Sequence, residues 1–502
     1  MSVLLRELLE DVAPTRVRGP VDVPIGKVES DSRSIAPGDL FVAVRGGQER
    51  DRHQFVADAV ARGAVAVVVE EETDSGAATC VLVPSCRAAA ARLAARVCGY
   101  PGRRLAVVGV TGTKGKTTTA LLLRQVLHEA GVPCGYLGTL GRIVAGGIEP
   151  LRNTTPEAPE LHRHLADMVA AGRRAVSLEV SSHGLALERV AGIAFRVAVF
   201  TNLSRDHLDF HGTAERYFAA KARLFEELDP AAGARAVVNV DDEAGRALVG
   251  RTSAPVLTFG WGEEAQVRVL AMHTTAAGMR LDLQTPQGAT RVDSPLVGRF
   301  NAYNVAAAVA AGLAYGLELG QAAGGIRHLE RVAGRFERVV AGQDFEVIVD
   351  YAHTPGSLET VLQTARGVTR GRLICVFGCG GDRDRGKRPL MGRVAADLAD
   401  LVVITSDNPR SEQPEGIIAE IVAGVPAGTA AWTDPDRRRA ITRALREART
   451  GDVVLLAGKG HETVQIIGDQ RLPFDDVQVA RQVLQGLVAA SAPVAAGAGG
   501  RA

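Results

Sequence analysis

An apolar run that ends in a glycine-rich turn and opens at once into a helical pattern admits few folds. Here LAVVGV (105–110) feeds GVTGTKGKTTT (109–119), and ALLLRQVLHEAG follows. A turn of this composition at a helix N-terminus aims backbone N–H groups at one point, and it needs a buried strand behind it. Gly112, Thr113, Lys114, Gly115, Lys116, Thr117 and Thr118 are therefore expected to wrap phosphate oxygens. Lys116 would pair with the β and γ phosphates, and the Thr117 hydroxyl would ligate Mg²⁺. ATP is the expected ligand. The usual phosphate loop has glycine where this chain has Val110, so the match is to the shorter form GxxGKTT.

The strand, turn, helix pattern recurs at RAVSLEV (174–180), RVAVFTNL (196–203) and ARAVVNV (234–240), which predicts a doubly wound parallel sheet. Residues 255–297 read as more β-rich, a side sheet. A further α/β unit begins near GRFE (334–337), with strands at EVIVDY (346–351), RLICVFG (372–378), LVVITSD (401–407) and DVVLLAG (452–458). Each ends in a polar or glycine-rich motif, and ligands of open parallel sheets sit beyond the carboxyl ends of the strands, so these motifs should share one rim. Before residue 100, LFVAV (40–44), AVAVVVE (64–70) and CVLV (80–83) alternate with alanine-rich helical stretches. A chain of 502 residues exceeds what one core of roughly 250–300 residues can hold. The expected fold is thus α/β in three domains: a small N-terminal α/β domain (1–102), a central P-loop doubly wound parallel sheet (103–332) and a C-terminal Rossmann-like domain (333–490). The small-residue tail 491–502 should fray.

The 58 basic and 57 acidic residues nearly cancel, so no global field recruits nucleic acid or an acidic membrane, and small-molecule partners are expected. The start, MSVLLRELLEDVAP, carries acidic residues where a signal peptide needs a basic region and an apolar run. Six scattered cysteines form no metal-spaced pair and read as reduced thiols. A cytoplasmic monomer is the expectation.

A second constellation comprises LEVSSHG (178–184), TNLSRDHLDFHGT (201–213) and YFAAKARLF (217–225). Glu179 and His207 each lie just past an apolar strand, as the phosphate loop does, so both could reach a metal beside the γ-phosphate. Each alone has a plainer reading: Glu179 as a surface carboxylate, His183 or His207 as a hydrogen-bonded structural histidine, Lys221 as a solvated helix lysine.

Taken in order, GTKGKTTT, NTTPE (153–157), EVSSHG, NLSRDHLDFHG, the Lys221 helix, GRFNAYN (298–304), GRFE, DYAHTP (350–355), GCGGDRDRGKRPLM (378–391), DNPR (407–410) and GKGHE (458–462) resemble the Mur ligase family, MurE type, from about residue 25 to 480. The resemblance implies an ATP-dependent, Mg²⁺-requiring ligase that activates a carboxylate as an acyl phosphate for attack by an amine. It assigns Thr117, Glu179 and His207 to Mg²⁺ and Lys116 to phosphate. It also implies that Lys221 is carbamylated, turning a cation into a metal-holding anion. Asn301 and Asn304 would lie near the adenine, although they might instead cap a helix running on from Val305. Arg335 and Asp350 would close over the nucleotide.

The resemblance further places a UDP-MurNAc-L-Ala-D-Glu substrate on Ser30, Ser32, Gly47, Gln48, Glu49, Asn153, Thr154, Thr155, Ser181 and Arg189. Leu187 stands where the family often has Gln, and an extra residue falls near Arg50. The incoming amino acid would meet Arg383, Asp407, Asn408, Pro409, Arg410, Gly458 and Glu462. meso-Diaminopimelate carries a second carboxylate that lysine lacks, so a guanidinium fork at Arg410 would favour it. Alternatives are a lysine-adding ligase of the same type, a folylpolyglutamate synthase-like ligase, and a nucleotide-binding protein without catalysis.

Overall fold

The strand-forming runs owe their place to alternation that serves two faces at once. In the run Leu373–Phe377, Leu373, Cys375 and Phe377 pack into one core while Ile374 and Val376 pack into another. The neighbouring Val453–Ala457 divides likewise, with Val453, Leu455 and Ala457 on one side and Val454 and Leu456 on the other. A strand buried on both faces must be apolar throughout, the signature of a parallel sheet covered by helices.

The computed structural model describes residues 2–45, 51–275, 278–329 and 331–491. Gly47, Gln48 and Glu49, and residues 492–502 of the tail, lie outside them. The chain packs as two units, the first comprising 1–272, 280–294 and 301–329, and the second 273–279, 295–300 and 330–502.

The first unit holds two larger sheets. One has five strands in the order Arg16–Arg18, Thr79–Leu82, Ala66–Val69, Leu40–Val42, Val28–Glu29, parallel except for the first pair. The other has ten, with Ala106–Thr111 between Ala175–Glu179 and Phe195–Phe200. The chain winds first to one side of Ala106–Thr111 and then to the other, so the sheet reverses its order there and the phosphate-loop motif leaves from that point. Residues 255–297 do not form a separate side sheet. Val256–Gly260 pairs parallel with Arg235–Asn239, and the strands up to Gly288–Ser294 continue the same sheet. Phe259 and Val267, which pair with one another across adjacent strands of that sheet, are both fully buried.

The second unit has a six-stranded sheet in the order Glu337–Arg338, Glu346–Asp350, Val453–Ala457, Leu373–Phe377, Leu401–Thr405, Ala431–Asp434. Its first pair is antiparallel and the others are parallel. The ends of four of these strands deliver Asp350, Gly378, Asp407 and Gly458 to one rim.

Candidate active site

Two glycines of the phosphate loop are there because nothing larger fits. Gly112 has φ +148°, and a Cβ on it would lie 1.9 Å from Thr201 Oγ1. Gly115 has φ +84°, and a Cβ on it would lie 2.4 Å from Asn304 Oδ1. Gly115 is also the N-cap of the helix Lys116–Glu129 and offers it no side-chain cap, an arrangement in which helix N–H groups can meet an anion. Val110 is fully buried inside the preceding strand. From the adjacent strand end, Asn202 braces Lys114: its Oδ1 accepts from Lys114 N at 3.0 Å, and its Nδ2 donates to Lys114 O at 3.1 Å. Its own carbonyl accepts from Thr113 N at 2.8 Å.

Two lysines converge on one carbonyl. Lys116 Nζ donates to Gly112 O at 2.9 Å and to Thr113 O at 3.0 Å. Lys221 Nζ, from the helix Ala214–Glu226, donates to the same Gly112 O at 2.9 Å. Lys221 is 1% exposed. Burial first, then the charge of Lys116, pushes its pKa well below the ordinary lysine value, against the opposing pull of Asp206.

Glu179, at the end of its strand, is buried and accepts four hydrogen bonds. Its Oε1 takes Tyr136 Oη at 2.6 Å and Thr139 N at 3.0 Å, and its Oε2 takes Thr117 Oγ1 and Thr139 Oγ1, each at 3.0 Å. The plainer reading of a surface carboxylate does not hold. His207 adopts φ +52° before the short helix Leu208–His211. Its ring lies 4.8 Å from that of His183 and 6.1 Å from that of Tyr217. Burial lowers its pKa, Asp206 opposes this, and Lys116 and Lys221 reinforce it.

The hard oxygens of Thr117 and Glu179 meet beside the phosphate loop, a donor pair that suits Mg²⁺. The Lys221 ammonium repels a cation and would suit one only as a carbamate. Among the described residues, Asp51, His53 and Glu71 form the one group of three His or carboxylate ligands within 4.8 Å of one another. His53 Nδ1 lies 2.6 Å from Asp51 Oδ1 and its Nε2 accepts from Glu70 N at 2.9 Å, so that ring has no lone pair to offer.

Asn301 and Asn304 lie inside the helix Arg299–Tyr315 and do not precede it, because that helix begins six residues earlier than the sequence suggests. Asn304 Nδ2 donates to Asn301 Oδ1 at 3.0 Å, and Thr119 Oγ1 donates to Asn304 Oδ1 at 3.2 Å. The pair thus sits against the phosphate-loop helix.

Of the residues expected to hold the nucleotide-sugar substrate, Thr155, Ser181 and Arg189 are joined. Ser181 N donates to Thr155 Oγ1 at 2.9 Å, and Arg189 donates to Thr155 O at 3.0 Å and to Glu157 Oε1 at 2.7 Å. Thr154 Oγ1 lies 3.0 Å from Thr139 Oγ1. Ser30 and Leu187 line a cleft with Arg87 and Glu157. Ser32 is buried and donates to Asp58. Asn153 is exposed in the turn that precedes Thr154.

In the second unit, Asp350 Oδ2 accepts from Phe336 N at 2.8 Å, and the Arg335 guanidinium lies 4.8 Å from the centre of the Tyr351 ring. The turn 407–410 and the turn 458–462 meet through side chains. Asn408 Nδ2 donates to Glu462 Oε2 at 2.7 Å, and Gly458, at φ +113°, lies so close that a Cβ would be 2.6 Å from Asp407 Oδ2. Burial raises the pKa of Asp407, opposed by Arg437 and Lys459. Arg410 has φ +53° and hydrogen-bonds through its backbone to Ile466 O and Gly468 N, which presents its side chain beside Gly380 and Gly381. Its Nη1 donates to Gly381 O at 2.7 Å. Burial, then the neighbouring charge of Arg383, lowers its pKa. The side chains of Arg383 and Arg410 form no ion pair among the described residues. Pro409 packs its carbonyl against Gly381, where a Cβ would lie 1.9 Å away.

Several supporting residues carry no signal that spacing alone reveals. Arg388, fully buried, donates to Glu412 at 2.8 Å and Glu420 at 2.8 Å and holds Gly380 O at 3.2 Å, and its hydrogen bonds, with that from Asp382 N, draw the Glu412 pKa down to about 2. Arg437 pairs with Asp476 at 2.6 Å, both fully buried, and also donates to Ser406 O at 3.2 Å and Ala457 O at 3.0 Å. It thereby ties together the two strand ends that bear the 407–410 and 458–462 turns. Lys459, within GKGHE, is fully buried as well.

A phosphate-loop turn at the reversal point of one parallel sheet and a polar rim on a second mark a nucleotide-binding α/β protein, and sequence comparison specifies which kind. The chain belongs to the Mur ligase family: the Mur ligase middle domain matches residues 110–312, and the Mur ligase glutamate ligase domain matches 334–460. It is 47% identical over 96% of both chains to the UDP-N-acetylmuramoyl-L-alanyl-D-glutamate–2,6-diaminopimelate ligase of Solibacter usitatus. A solved structure of a UDP-N-acetylmuramoyl-L-alanyl-D-glutamate–2,6-diaminopimelate ligase matches with TM-score 0.70 at 35% identity, covering 97% of this chain and 100% of that one. The fold is shared with MurF ligase from Thermotoga maritima in complex with ADP, at TM-score 0.64 and 20% identity over 92% of this chain and 98% of the other. No helix among the described residues is long and apolar enough to cross a membrane.

Proposed function

We propose that this chain adds meso-2,6-diaminopimelate to UDP-N-acetylmuramoyl-L-alanyl-D-glutamate, with ATP converted to ADP and phosphate, in the synthesis of peptidoglycan. The observation that carries the choice of amino acid is the pair of guanidiniums, Arg383 and Arg410, whose like charges act on one another and whose side chains form no ion pair among the described residues. Two like charges so placed favour a bound anion, and the distal carboxylate of a diamino diacid provides one. Asp407, Asn408, Gly458 and Glu462 then face its ammonium and second carboxylate, with Pro409 shaping the turn.

In the reaction, a carboxylate oxygen of the dipeptide attacks the γ-phosphorus, ADP leaves, and the amine of diaminopimelate displaces phosphate from the acyl carbon and loses a proton. Gly112 to Thr118 hold the phosphates, with Lys116 neutralising their charge. Thr117, Glu179, His207 and a carbamylated Lys221 would hold Mg²⁺, which when bound offsets the charge of crowded phosphate oxygens. Asn301, Asn304, Arg335 and Asp350 are assigned to the nucleoside of ATP. Ser30, Ser32, Asn153, Thr154, Thr155, Ser181 and Arg189 are assigned to the UDP-sugar peptide, with residues 1–102, 103–332 and 333–490 as the sugar-nucleotide, ATP and amino-acid domains. ATP as co-substrate and six free thiols are consistent with work in the cytoplasm as a single chain.

The deciding experiment incubates the protein with ATP, UDP-MurNAc-L-Ala-D-Glu and equimolar meso-diaminopimelate and lysine, and weighs the product. A diaminopimelate adduct is expected. A lysine adduct would overturn the assignment of the amino acid, and phosphate release that needs neither amine would overturn the ligase reaction itself.

A further inference from the structure

The lysine of GKGHE has no role in the reading above, and its surroundings give it one. Lys459 lies between two glycines in left-handed conformation, Gly458 at φ +113° and Gly460 at φ +53°, and that turn carries its side chain inward until it is fully buried. An ammonium has three N–H donors. Here all three are used: on Asn408 Oδ1 at 3.2 Å, Glu462 Oε2 at 3.1 Å and Val464 O at 2.7 Å. With no donor left, Lys459 cannot itself bind a substrate. Two of its three partners, Asn408 and Glu462, are residues assigned above to the amino acid.

The consequence for those partners is specific. Asn408 Oδ1 receives both Lys459 Nζ and Ile466 N, the latter at 3.0 Å, so the amide cannot turn over without placing its NH₂ against two donors. Its Nδ2 is thereby directed to Glu462 Oε2 at 2.7 Å, with a second N–H left over. Glu462 Oε2 is occupied by Lys459 and Asn408, which leaves Oε1 as the acceptor it can present. A fixed donor beside a fixed anionic acceptor is the complement of an amino-acid zwitterion, whose carboxylate accepts and whose ammonium donates.

We infer that Lys459 is the positioning residue of the amino-acid pocket, acting from beneath to fix the amide orientation of Asn408 and the free oxygen of Glu462. The inference rests on the amino-acid reading proposed above. It explains why a cation is buried there, since its three acceptors take up all of its donors and losing it would leave Glu462 and Asn408 undirected.

The test compares Lys459→Met, which removes charge and donors at similar length, with Lys459→Gln, which keeps amide donors, alongside Glu462→Gln and the double variant Lys459→Met/Glu462→Gln. Steady-state constants are measured for all three substrates, and folding is checked by thermal melting. Lys459→Met should raise KM for diaminopimelate tenfold or more, with kcat within about threefold and KM for ATP and the UDP-substrate unchanged. Lys459→Gln should fall between it and the parent, and the double variant should be no worse than the worse single. An unchanged diaminopimelate KM in a folded variant, equal rises for all three substrates, or multiplying losses in the double variant would each overturn the inference. So would loss of the fold in both Lys459 variants, which would make the residue a structural support. If instead Glu462→Gln leaves the diaminopimelate KM unaltered, it is the placement of the pocket that fails.

Discussion

Replacing Arg410 by alanine removes one of two guanidiniums while leaving the backbone as it was, since alanine keeps a Cβ at the same φ of +53° and the strain there does not change. Fold stability should lose only the bond from Nη1 to Gly381 O, about 1 kcal/mol. Binding of the diamino diacid should lose more. Arg410 is half-buried, and truncating one partner of a charge-assisted pair of that kind costs on the order of 2–5 kcal/mol. Arg383 remains to meet the carboxylate, which places the expected cost near the lower half of that range, about 2–3.5 kcal/mol. At about 1.4 kcal/mol per decade, kcat/KM for diaminopimelate should fall roughly 30- to 300-fold. Lysine has no carboxylate to lose and should change little, so the preference collapses while the ligase survives. The assay is competition between the two amino acids, read by product mass and by phosphate release. Arg410→Lys should recover only part, because an ammonium cannot present a planar fork. Equal losses for both amino acids would refute the reasoning by making Arg410 a structural residue, and unchanged diaminopimelate kinetics would put the selectivity elsewhere.

Lys116→Ala should abolish ATP turnover with a melting temperature close to the parent's, and a folded variant that releases phosphate at the parental rate would contradict the phosphate-loop assignment. Lys221→Ala should abolish ligation and regain part of it with acetate or formate, which can replace carbamate oxygens. Full activity without added acid would show that no carbamate is needed. His162 is buried, neither ring nitrogen has a hydrogen-bond partner among the described residues, and burial lowers its pKa to about 4. Its folded pKa lies below the unfolded value near 6.5, so the unfolded state binds the extra proton and stability falls as pH drops from about 6.5 towards 4. That amounts to about 2 kcal/mol between pH 7 and 5, and His162→Leu should flatten this part of the pH dependence in urea titrations at the two pH values. An unchanged slope would mean that the ring is hydrated or paired in solution.

What the sequence made legible was whatever one stretch of chain could state alone. GTKGKTTT declared its own turn, because the glycines, the lysine and the helix start are contiguous, and the apolar strands of the second unit declared their double burial. Interactions between distant segments were invisible. Asn202 reaches Lys114 across 88 residues, and Tyr136 reaches Glu179 across 43. Neither has a spacing that singles it out. The side-sheet reading of 255–297 failed because alternation marks a strand but does not say which sheet it joins. The helix at 299 began earlier than read because Asn301 and Asn304, poor helix formers in isolation, are held inside it by each other and by Thr119.

The buried pair of Arg437 and Asp476 also bears on how the protein comes into being. Arg437 holds Ser406 O and Ala457 O, the roots of both turns of the rim, but among the described residues its one carboxylate at ion-pair distance belongs to a helix that begins at Asp476, 39 residues further along. During synthesis the strands of this unit emerge first, and until that helix folds back the guanidinium lacks its hydrogen-bonded carboxylate partner and its burial is costly. The rim that bears the 407–410 and 458–462 turns thus waits on the last helix of the chain for its support, whereas the ten-stranded sheet of the first unit has all its strands before residue 295.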